Sequence, residues 1–159
     1  MHDDKFLYLG IKAYPDKGSE VLFPNDKWGK RDPALWFCDS VECFFASGSG
    51  EYYQFIFGTG DRIFDAHSVK GKMDSRWTSK AIVKSIRSGD NWECEAKIPL
   101  SELKFTPAVK KGTFKVNFSR NHYRRKKGTA GKFFWEQTGW QPTYGAFSKT
   151  EKFGTLNLK

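Results

Sequence analysis

Residues 81–98 read AIVKSIRSGDNWECEAKI and show most clearly how this chain folds. From Ala81 to Arg87 apolar and polar side chains alternate, and from Trp92 to Ile98 they alternate again, as in half-buried β-strands. Between these two runs, residues 88–91 (Ser-Gly-Asp-Asn) have the composition of a tight turn. The segment therefore predicts two antiparallel strands joined by a short loop. The apolar face of the second strand carries Trp92, Cys94, Ala96 and Ile98.

Strand patterns recur along the rest of the chain, whereas helix patterns are scarce. The other predicted strands are Phe6–Ala13, Asp39–Phe45, Tyr52–Phe57, 114–118 and Phe153–Leu158. A turn at 47–50 joins two of them, and the clearest helix signal is a single turn at 99–103. Many short strands predict an all-β fold, namely a jelly-roll-like antiparallel β-sandwich that forms one domain over residues 1–159. The predicted long loops, where binding surfaces usually lie, are 14–35, 58–79 and 121–145.

Length and composition exclude several classes of protein. A chain of 159 residues with 17% aromatic residues can bury a core, so wholesale disorder is excluded. The chain has no long apolar run and begins Met-His-Asp-Asp-Lys. We therefore predict no membrane insertion, and no signal peptide within these residues.

The positive charge comes from one segment. The net charge is +9, and residues 110–132 contain nine basic residues and no acidic one. Such a segment could bind the phosphates of nucleic acid or an anionic glycan. It could also be one strand followed by a solvated loop, because five of its basic residues lie in a Gly-containing stretch. We favour the second interpretation and do not predict nucleic-acid binding, but a polyanion binder acting through 110–132 stays an alternative.

The sequence offers little catalytic chemistry. It contains three His residues, and none lies in a nucleophile motif or at metal-ligand spacing. The three cysteines, Cys38, Cys43 and Cys94, match no zinc or redox motif, and we interpret them as small buried side chains. One disulfide would still be compatible with their number in an oxidising compartment. We predict that the protein is not an enzyme.

Two tryptophans lie in loop-like stretches beside Pro and Gly. Trp36 follows Asp-Pro-Ala-Leu, and Trp140 lies in Thr-Gly-Trp-Gln-Pro. Such a residue either covers the core or forms an exposed aromatic platform, on which the C–H face of a sugar ring can stack. The hydroxyl groups of the sugar would then need carboxylates, amides or guanidinium groups as partners.

Several stretches, taken in order, resemble the family 9 carbohydrate-binding modules and their close relatives. Each stretch is short, but their order and intervals together are fairly specific and span nearly the whole chain. They are DDKFLYLGI (3–11), WFCDSVE (36–42), YYQF (52–55), WECEAKIP (92–99), VNFSR (116–120), WQPTYG (140–145) and FGTL (153–156).

The resemblance implies a β-sandwich that binds sugars without catalysis. In the family, the ligand lies in a slot between two Trp rings, which correspond here to Trp36 and Trp140. A Glu of the Asp-Ser-Val-Glu strand and an amide near the second Trp bind sugar hydroxyls, and they correspond to Glu42 and Gln137. Trp36 must fold back toward Glu42 in a loop, because six extended residues would span roughly 20 Å.

This sequence departs from the family at two polar positions after the Tyr-rich hairpin. The best-known members have an Arg and an Asn there, whereas this chain has Ile56 and Gly58. Arg62 or Arg120 could replace the missing contacts. Without a replacement, the slot would be degenerate and the domain would serve a structural or interaction role, which is the second alternative.

Other expectations follow from the resemblance. Members usually have strand material before the Asp-Asp-x-x-Leu-Tyr segment, so we expect an N-terminal strand to be missing and the chain to be part of a larger polypeptide. No cofactor is predicted; structural calcium would be compatible with the resemblance, and Asp39, Asp61, Asp65 and Asp74 lie near suitable loops, but we favour an ordinary solvated role for each. The partner would be an oligo- or polysaccharide. The domain would be accessory to an extracellular, cell-surface or periplasmic protein, for instance one that degrades polysaccharide.

Overall fold

The alternating segments form two antiparallel sheets in a computed structural model, which describes residues 1–47, 50–104 and 112–158. The strands are β1 (Phe6–Ala13), β2 (Ser19–Val21), β3 (Ser40–Ala46), β4 (Tyr52–Gly58), β5 (Arg62–Val69), β6 (Lys72–Asp74), β7 (Ile82–Ser88), β8 (Asn91–Pro99), β9 (Thr113–Lys126), β10 (Phe134–Gly139) and β11 (Gly154–Asn157). Single 3₁₀ turns lie at Leu35–Phe37, Leu100–Glu102 and Thr150–Lys152. Within the described residues, no helix is long and apolar enough to cross a membrane.

The smaller sheet has the order β1-β8-β7, and the larger sheet has the order β10-β9-β3-β4-β5-β6. β9 is long enough to pair with four strands. β3 and β2 lie along one of its edges, and β10 and β11 lie along the other. The predicted antiparallel all-β sandwich is thereby confirmed, and the hairpin at 81–98 forms β7 and β8.

The core lies between the two sheets. Trp92, Cys94, Ala96 and Ile98 of β8 all face it, as their alternation predicted. From the larger sheet, the inner face contributes buried residues that alternate with an outer set, because successive strand residues point to opposite faces. These inner residues include Cys43, Phe45, Tyr53, Phe55, Phe57, Ile63, Phe114 and Val116.

The three predicted loops contain short strands that sequence reasoning missed. β2 lies in 14–35, β5 and β6 lie in 58–79, and β10 lies in 121–145. β5 alternates weakly because both of its faces are buried, and every residue of β10 is exposed, so neither strand shows a clear period of two. Part of the turn predicted at 47–50 lies outside the described residues.

The three cysteines are free and buried, as interpreted from their spacing. Burial raises the pKa of Cys38 to about 12 and that of Cys94 to about 12. Such thiols stay protonated and pack as small hydrophobic groups.

Candidate functional site

A line of polar side chains crosses the outer face of the larger sheet. Gln137 of β10 donates from Nε2 to Asn121 Oδ1 of β9 at 2.8 Å. Asn121 in turn donates from Nδ2 to Glu42 Oε1 of β3 at 2.6 Å. Gln54 of β4 donates from Nε2 to the other oxygen, Glu42 Oε2, at 2.8 Å. Four adjacent strands thus each contribute one amide or carboxylate group, which we call the amide ladder.

Glu42 lies at the centre of this ladder and is largely withdrawn from water, with only 5% of its surface exposed. Burial raises the pKa of Glu42, and the bonds from Asn121 and Gln54 partly offset that shift. A carboxylate oxygen has two acceptor positions, and each Glu42 oxygen uses one of them within the ladder. The carboxylate is therefore held in a fixed orientation and can still accept hydrogen bonds.

Trp36 lies beside Glu42, as the fold-back of its loop required. The 3₁₀ turn Leu35–Phe37 buries Leu35 and leaves Trp36 37% exposed. The indole packs edge-on against Phe64, with ring centroids 5.1 Å apart. Asp32, at φ 54°, turns the chain before Pro33, and this turn brings Trp36 back over the sheet.

An open cavity of about 590 Å³ connects Trp36 to the ladder. Its lining comprises Asp32, Trp36, Glu42, Gln54, Ile56, Phe64, Met73 and Ser75. The cavity therefore combines a half-exposed aromatic ring, an apolar floor and carboxylate and amide groups. Sites for small polar organic ligands commonly have this composition.

Trp140 lies on the opposite face of the same sheet. Its ring lies 6.0 Å from that of Phe118, between centroids, and it covers Gly154 so closely that a Cβ there would lie 2.5 Å from Trp140 Cζ3. It lines a separate cavity between β1 and the larger sheet, together with Val41 and Arg120. The structure therefore does not bring Trp36 and Trp140 together, and a slot between these two rings is not formed.

The two candidate arginines are engaged elsewhere. Arg120 Nη2 donates to Asp39 Oδ1 at 3.1 Å and to Oδ2 at 3.0 Å, on the inner side of the sheet. Trp92 Nε1 donates to the same Asp39 Oδ1 at 2.6 Å, so this cluster joins the two sheets. Arg62 is buried and donates to the carbonyl oxygen of Thr59 at 2.9 Å. Neither guanidinium group lines the Trp36 cavity.

Packing accounts for Ile56 and Gly58, the two positions at which the resemblance would predict polar side chains. Ile56 lies directly opposite Glu42 in the β3–β4 register and is fully buried with Leu35 and Phe64. A Cβ on Gly58 would lie 3.0 Å from Leu35 Cδ2 and 3.3 Å from Pro24 Cγ. The turn that positions Trp36 thus occupies the space that a polar side chain at residue 58 would need.

Sequence reasoning missed three residues of this face: Gln54, Asn121 and Trp135. Trp135 is 55% exposed, two residues from Gln137 on the same face of β10, and stacks on Tyr123 with ring centroids 6.1 Å apart. The signal for Asn121 was available, because Asn117 and Ser119 alternate with the apolar Val116 and Phe118, and the same period of two places Asn121 on their face. Nothing in the sequence singled out Trp135.

Most of the described basic residues in 110–132 have acidic or polar partners. Arg124 pairs with Asp16 and Glu136, Arg125 pairs with Glu20, and Lys127 pairs with Asp90. Lys110 and Lys111 lie outside the described residues. A segment whose charges are neutralised from neighbouring strands attracts a polyanion weakly, so the structure gives the polyanion alternative little support.

The candidate calcium ligands do not converge among the residues that the structure describes, where no three His, Cys, Asp or Glu residues form a group. Asp65 is buried and bonded to Arg31 and Ser79. Asp61 accepts hydrogen bonds from Lys84 and Ser85, which lower its pKa to about 2. Each of these carboxylates has a protein partner.

Solved structures with similar folds include a family 9 carbohydrate-binding module from Caldicellulosiruptor kristjanssonii. Its complex with cellotriose has a TM-score of 0.63 and 16% sequence identity, and the match covers 100% of this chain and 72% of that chain. Its complex with glucose also has a TM-score of 0.63, with 17% identity, covering 100% of this chain and 73% of that chain.

A candidate carbohydrate-binding protein from Bacteroides uniformis is also similar, with a TM-score of 0.57 and 19% identity over 94% of this chain and 71% of that chain. No model of a protein family matches the sequence, and no curated protein matches it. At these low identities, the likeness establishes the shared β-sandwich fold.

Proposed function

We propose that this protein is a carbohydrate-binding module that holds a saccharide on the outer face of its larger sheet. The observation that carries the proposal is the juxtaposition of the half-exposed Trp36 with the Glu42 carboxylate in one open cavity. The fold that the chain shares with carbohydrate-binding structures supports the proposal.

Trp36 and the amide ladder would have complementary roles. The C–H face of a sugar ring stacks on the indole through dispersion and the quadrupole of the ring. The sugar hydroxyls then donate to the unused acceptor positions of Glu42. Because hydrogen bonds to a charged acceptor are stronger than neutral ones, Glu42 would contribute most of the orientation.

The far end of the ladder would extend the site toward longer glycans. Gln137 and Trp135 lie on the exposed strand β10, on the same sheet face as Glu42. Across three inter-strand spacings, the ladder spans roughly 14 Å. We therefore assign Trp36, Glu42 and Gln137 to the site as predicted, add Gln54, Asn121 and Trp135, and leave Trp140, Arg62 and Arg120 outside it.

The proposed role is non-catalytic. Glycoside hydrolysis requires one carboxyl group as a proton donor and a second as nucleophile or base on either side of the bond. Both oxygens of Glu42 accept hydrogen bonds from amides, an arrangement that suits a fixed carboxylate better than an acid that must donate its proton. Incubation with oligosaccharides should release no reducing ends, and measurable release would contradict this part of the proposal.

The ligand class indicates what kind of protein this domain would belong to and where it would act. A module that binds polysaccharide would serve a larger polypeptide that acts on extracellular or cell-surface glycans. This extension rests entirely on the carbohydrate-binding role.

A glycan-array screen at two salt concentrations tests the proposal. We expect binding to neutral glycans that changes little with salt and that is lost in the Trp36→Ala variant. Binding only to anionic glycans, abolished by salt and preserved in Trp36→Ala, would place the activity in the basic segment instead. Absence of binding by a protein that unfolds cooperatively would contradict a carbohydrate-binding role.

A further inference from the structure

Glu42 is a buried carboxyl group that pairs with no positive side chain among the residues that the structure describes. Its described partners are the neutral amides of Asn121 and Gln54, and no charged side chain contributes to its pKa shift. The residues opposite it in the sheet register are Ile56 of β4 and Ser119 of β9, both uncharged. None of the residues that line its cavity is Lys, Arg or His.

The two arginines adjacent in sequence to the cavity lining, Arg31 and Arg76, have partners of their own. Arg31 donates from Nη1 to Asp65 Oδ2 at 2.6 Å and from Nη2 to the carbonyl oxygens of Ser79 and Ala81. Arg76 donates from Nε to Asp74 Oδ1 at 3.3 Å and is almost fully exposed. Both guanidinium groups are therefore engaged by partners outside the cavity lining.

Two further residues of the cavity lining carry acceptor oxygens. Asp32 contributes a second carboxylate to the lining, and its pKa is raised by burial and by the charge of Asp65. Gln54, only 8% exposed, points its Nε2 at Glu42, and its Oε1 accepts no hydrogen bond among the described residues. The position of Nε2 fixes this orientation, because the flipped amide would place two acceptors together. The amide nitrogen stabilises the Glu42 carboxylate, while the amide oxygen is a further acceptor without a partner among the described residues.

We infer that the preferred ligand carries a protonated primary amine, which makes an amino sugar of the glucosamine type the best match to this cavity. An ammonium group has three donors and no acceptor, which complements the unused acceptor positions of Glu42. It also supplies the positive charge that the cavity lacks, while the sugar ring stacks on Trp36. This inference rests on the proposed function, because it names the ligand class of the same site.

The same reasoning predicts the relative affinities of other sugars for this cavity. An N-acetylated sugar keeps the ring but loses the charge, and a neutral sugar offers only hydroxyl donors. Uronic and sialic acids bring a further negative charge next to the largely buried Glu42 carboxylate, which is unfavourable. The expected order of affinity is amine, then neutral or N-acetylated sugar, then acidic sugar.

Isothermal titration calorimetry with three matched tetramers tests the inference: glucosamine, N-acetylglucosamine and glucose, all β-1,4-linked, at a pH where the amine is protonated. A charge-assisted hydrogen bond in a half-buried site predicts that the amine tetramer binds about ten-fold tighter than the other two. In Glu42→Gln, which removes the charge and keeps the shape, the affinities should converge.

Substitution of a distant acidic residue distinguishes an effect of the Glu42 charge from an effect of the net charge of the protein. Glu93 is exposed on the smaller sheet and pairs with Lys12, so Glu93→Gln changes the net charge equally without touching the cavity. This variant should retain the amine preference, and an equal loss of preference in both variants would overturn the inference. Equal affinity of the wild-type protein for all three tetramers would also overturn it and would leave carbohydrate binding standing. Failure to bind any saccharide would overturn the proposed function as well.

Discussion

Asn121 Nδ2 lies 2.6 Å from Glu42 Oε1 across the β3–β9 pair, and this bond holds a buried carboxylate in place without neutralising it. A short bond from a neutral donor keeps the charge of Glu42 available to a ligand, whereas an arginine in the same place would cancel much of it. The outer face therefore has an anionic centre in a chain whose net charge is strongly positive.

Glu42→Gln should change how stability depends on pH. The unfolded chain ionises Glu42 near the ordinary pKa of 4.5, and burial raises the pKa in the folded protein. Between these two pKa values the folded state binds more protons, so the stabilisation is complete below pH 4.5 and is lost as pH rises through the folded pKa.

Urea unfolding of both proteins across this pH window measures the difference. The free energy of unfolding of the wild-type protein should fall with pH relative to that of Glu42→Gln, whose amide does not titrate. The glutamine can keep both ladder contacts if Gln54 rotates its amide, so the variant should fold. The exposed Glu93→Gln serves as the control, and parallel curves for wild type and Glu42→Gln would refute the expected effect of burial.

Trp36→Ala and Trp140→Ala should separate binding from stability. Loss of the edge-to-face contact with Phe64 should cost Trp36→Ala about 1 kcal/mol of stability, while saccharide binding is abolished. Trp140→Ala should lose about 1–2 kcal/mol because its ring covers Gly154 and Phe118, yet it should bind normally. Thermal unfolding measures the stability of each variant, and calorimetry measures its saccharide binding. If only Trp140→Ala lost binding, Trp140 and not Trp36 would be the binding residue.

Trp135→Ala should affect long ligands more than short ones. The side chain is exposed at the β10 end of the ladder, so its removal leaves the Trp36 cavity intact. We expect an affinity loss of about ten-fold or less for tetrasaccharides, on the scale of one lost stacking contact, and almost none for a monosaccharide. Equal losses for both lengths would mean that Trp135 acts through the fold. Phe134→Ala, on the opposite face of the same strand, is the matched control.

Arg120→Ala should destabilise the protein without changing its specificity. The variant leaves the fully buried Asp39 with the Trp92 hydrogen bond and the more distant His122 ring, 3.9 Å away, and removing the main partner of a buried charge costs about 3–5 kcal/mol. Arg76→Ala removes a pair with Asp74 that is exposed to solvent, and it should change stability little. Chemical denaturation measures the free energy of unfolding of both variants. If Arg120→Ala lost saccharide affinity at unchanged stability, Arg120 would belong to the binding site after all.

Local patterns predicted the fold well, because alternation and turn composition are local properties. They identified the 81–98 hairpin and the inward face of Trp92, whereas the expectation that Trp36 and Glu42 lie near each other came from the family resemblance. They failed for β5, which is buried on both faces, and for β10, which is exposed on both. In neither strand does burial follow a period of two.

The sheet face of Trp140 could not be read from the sequence for a different reason. It depends on the register between β10 and β9, where Gly139 lies opposite Ser119 on the outer face and the next residue turns inward. A shift of one residue would have placed Trp140 beside Glu42 instead. Register is a long-range property, and the same holds for the contact between Gln54 and Glu42.

Two-dimensional NMR during titration with cellotriose and with the glucosamine trimer tests the central claim most directly. The account predicts shifts of the Trp36 indole N–H and of the side-chain amides of Gln54, Asn121 and Gln137, which report the outer face of the larger sheet. Shifts confined to the Trp140 indole N–H and the backbone of Ile11 and Lys12 would place the ligand in the cavity between the sheets, and would contradict the account.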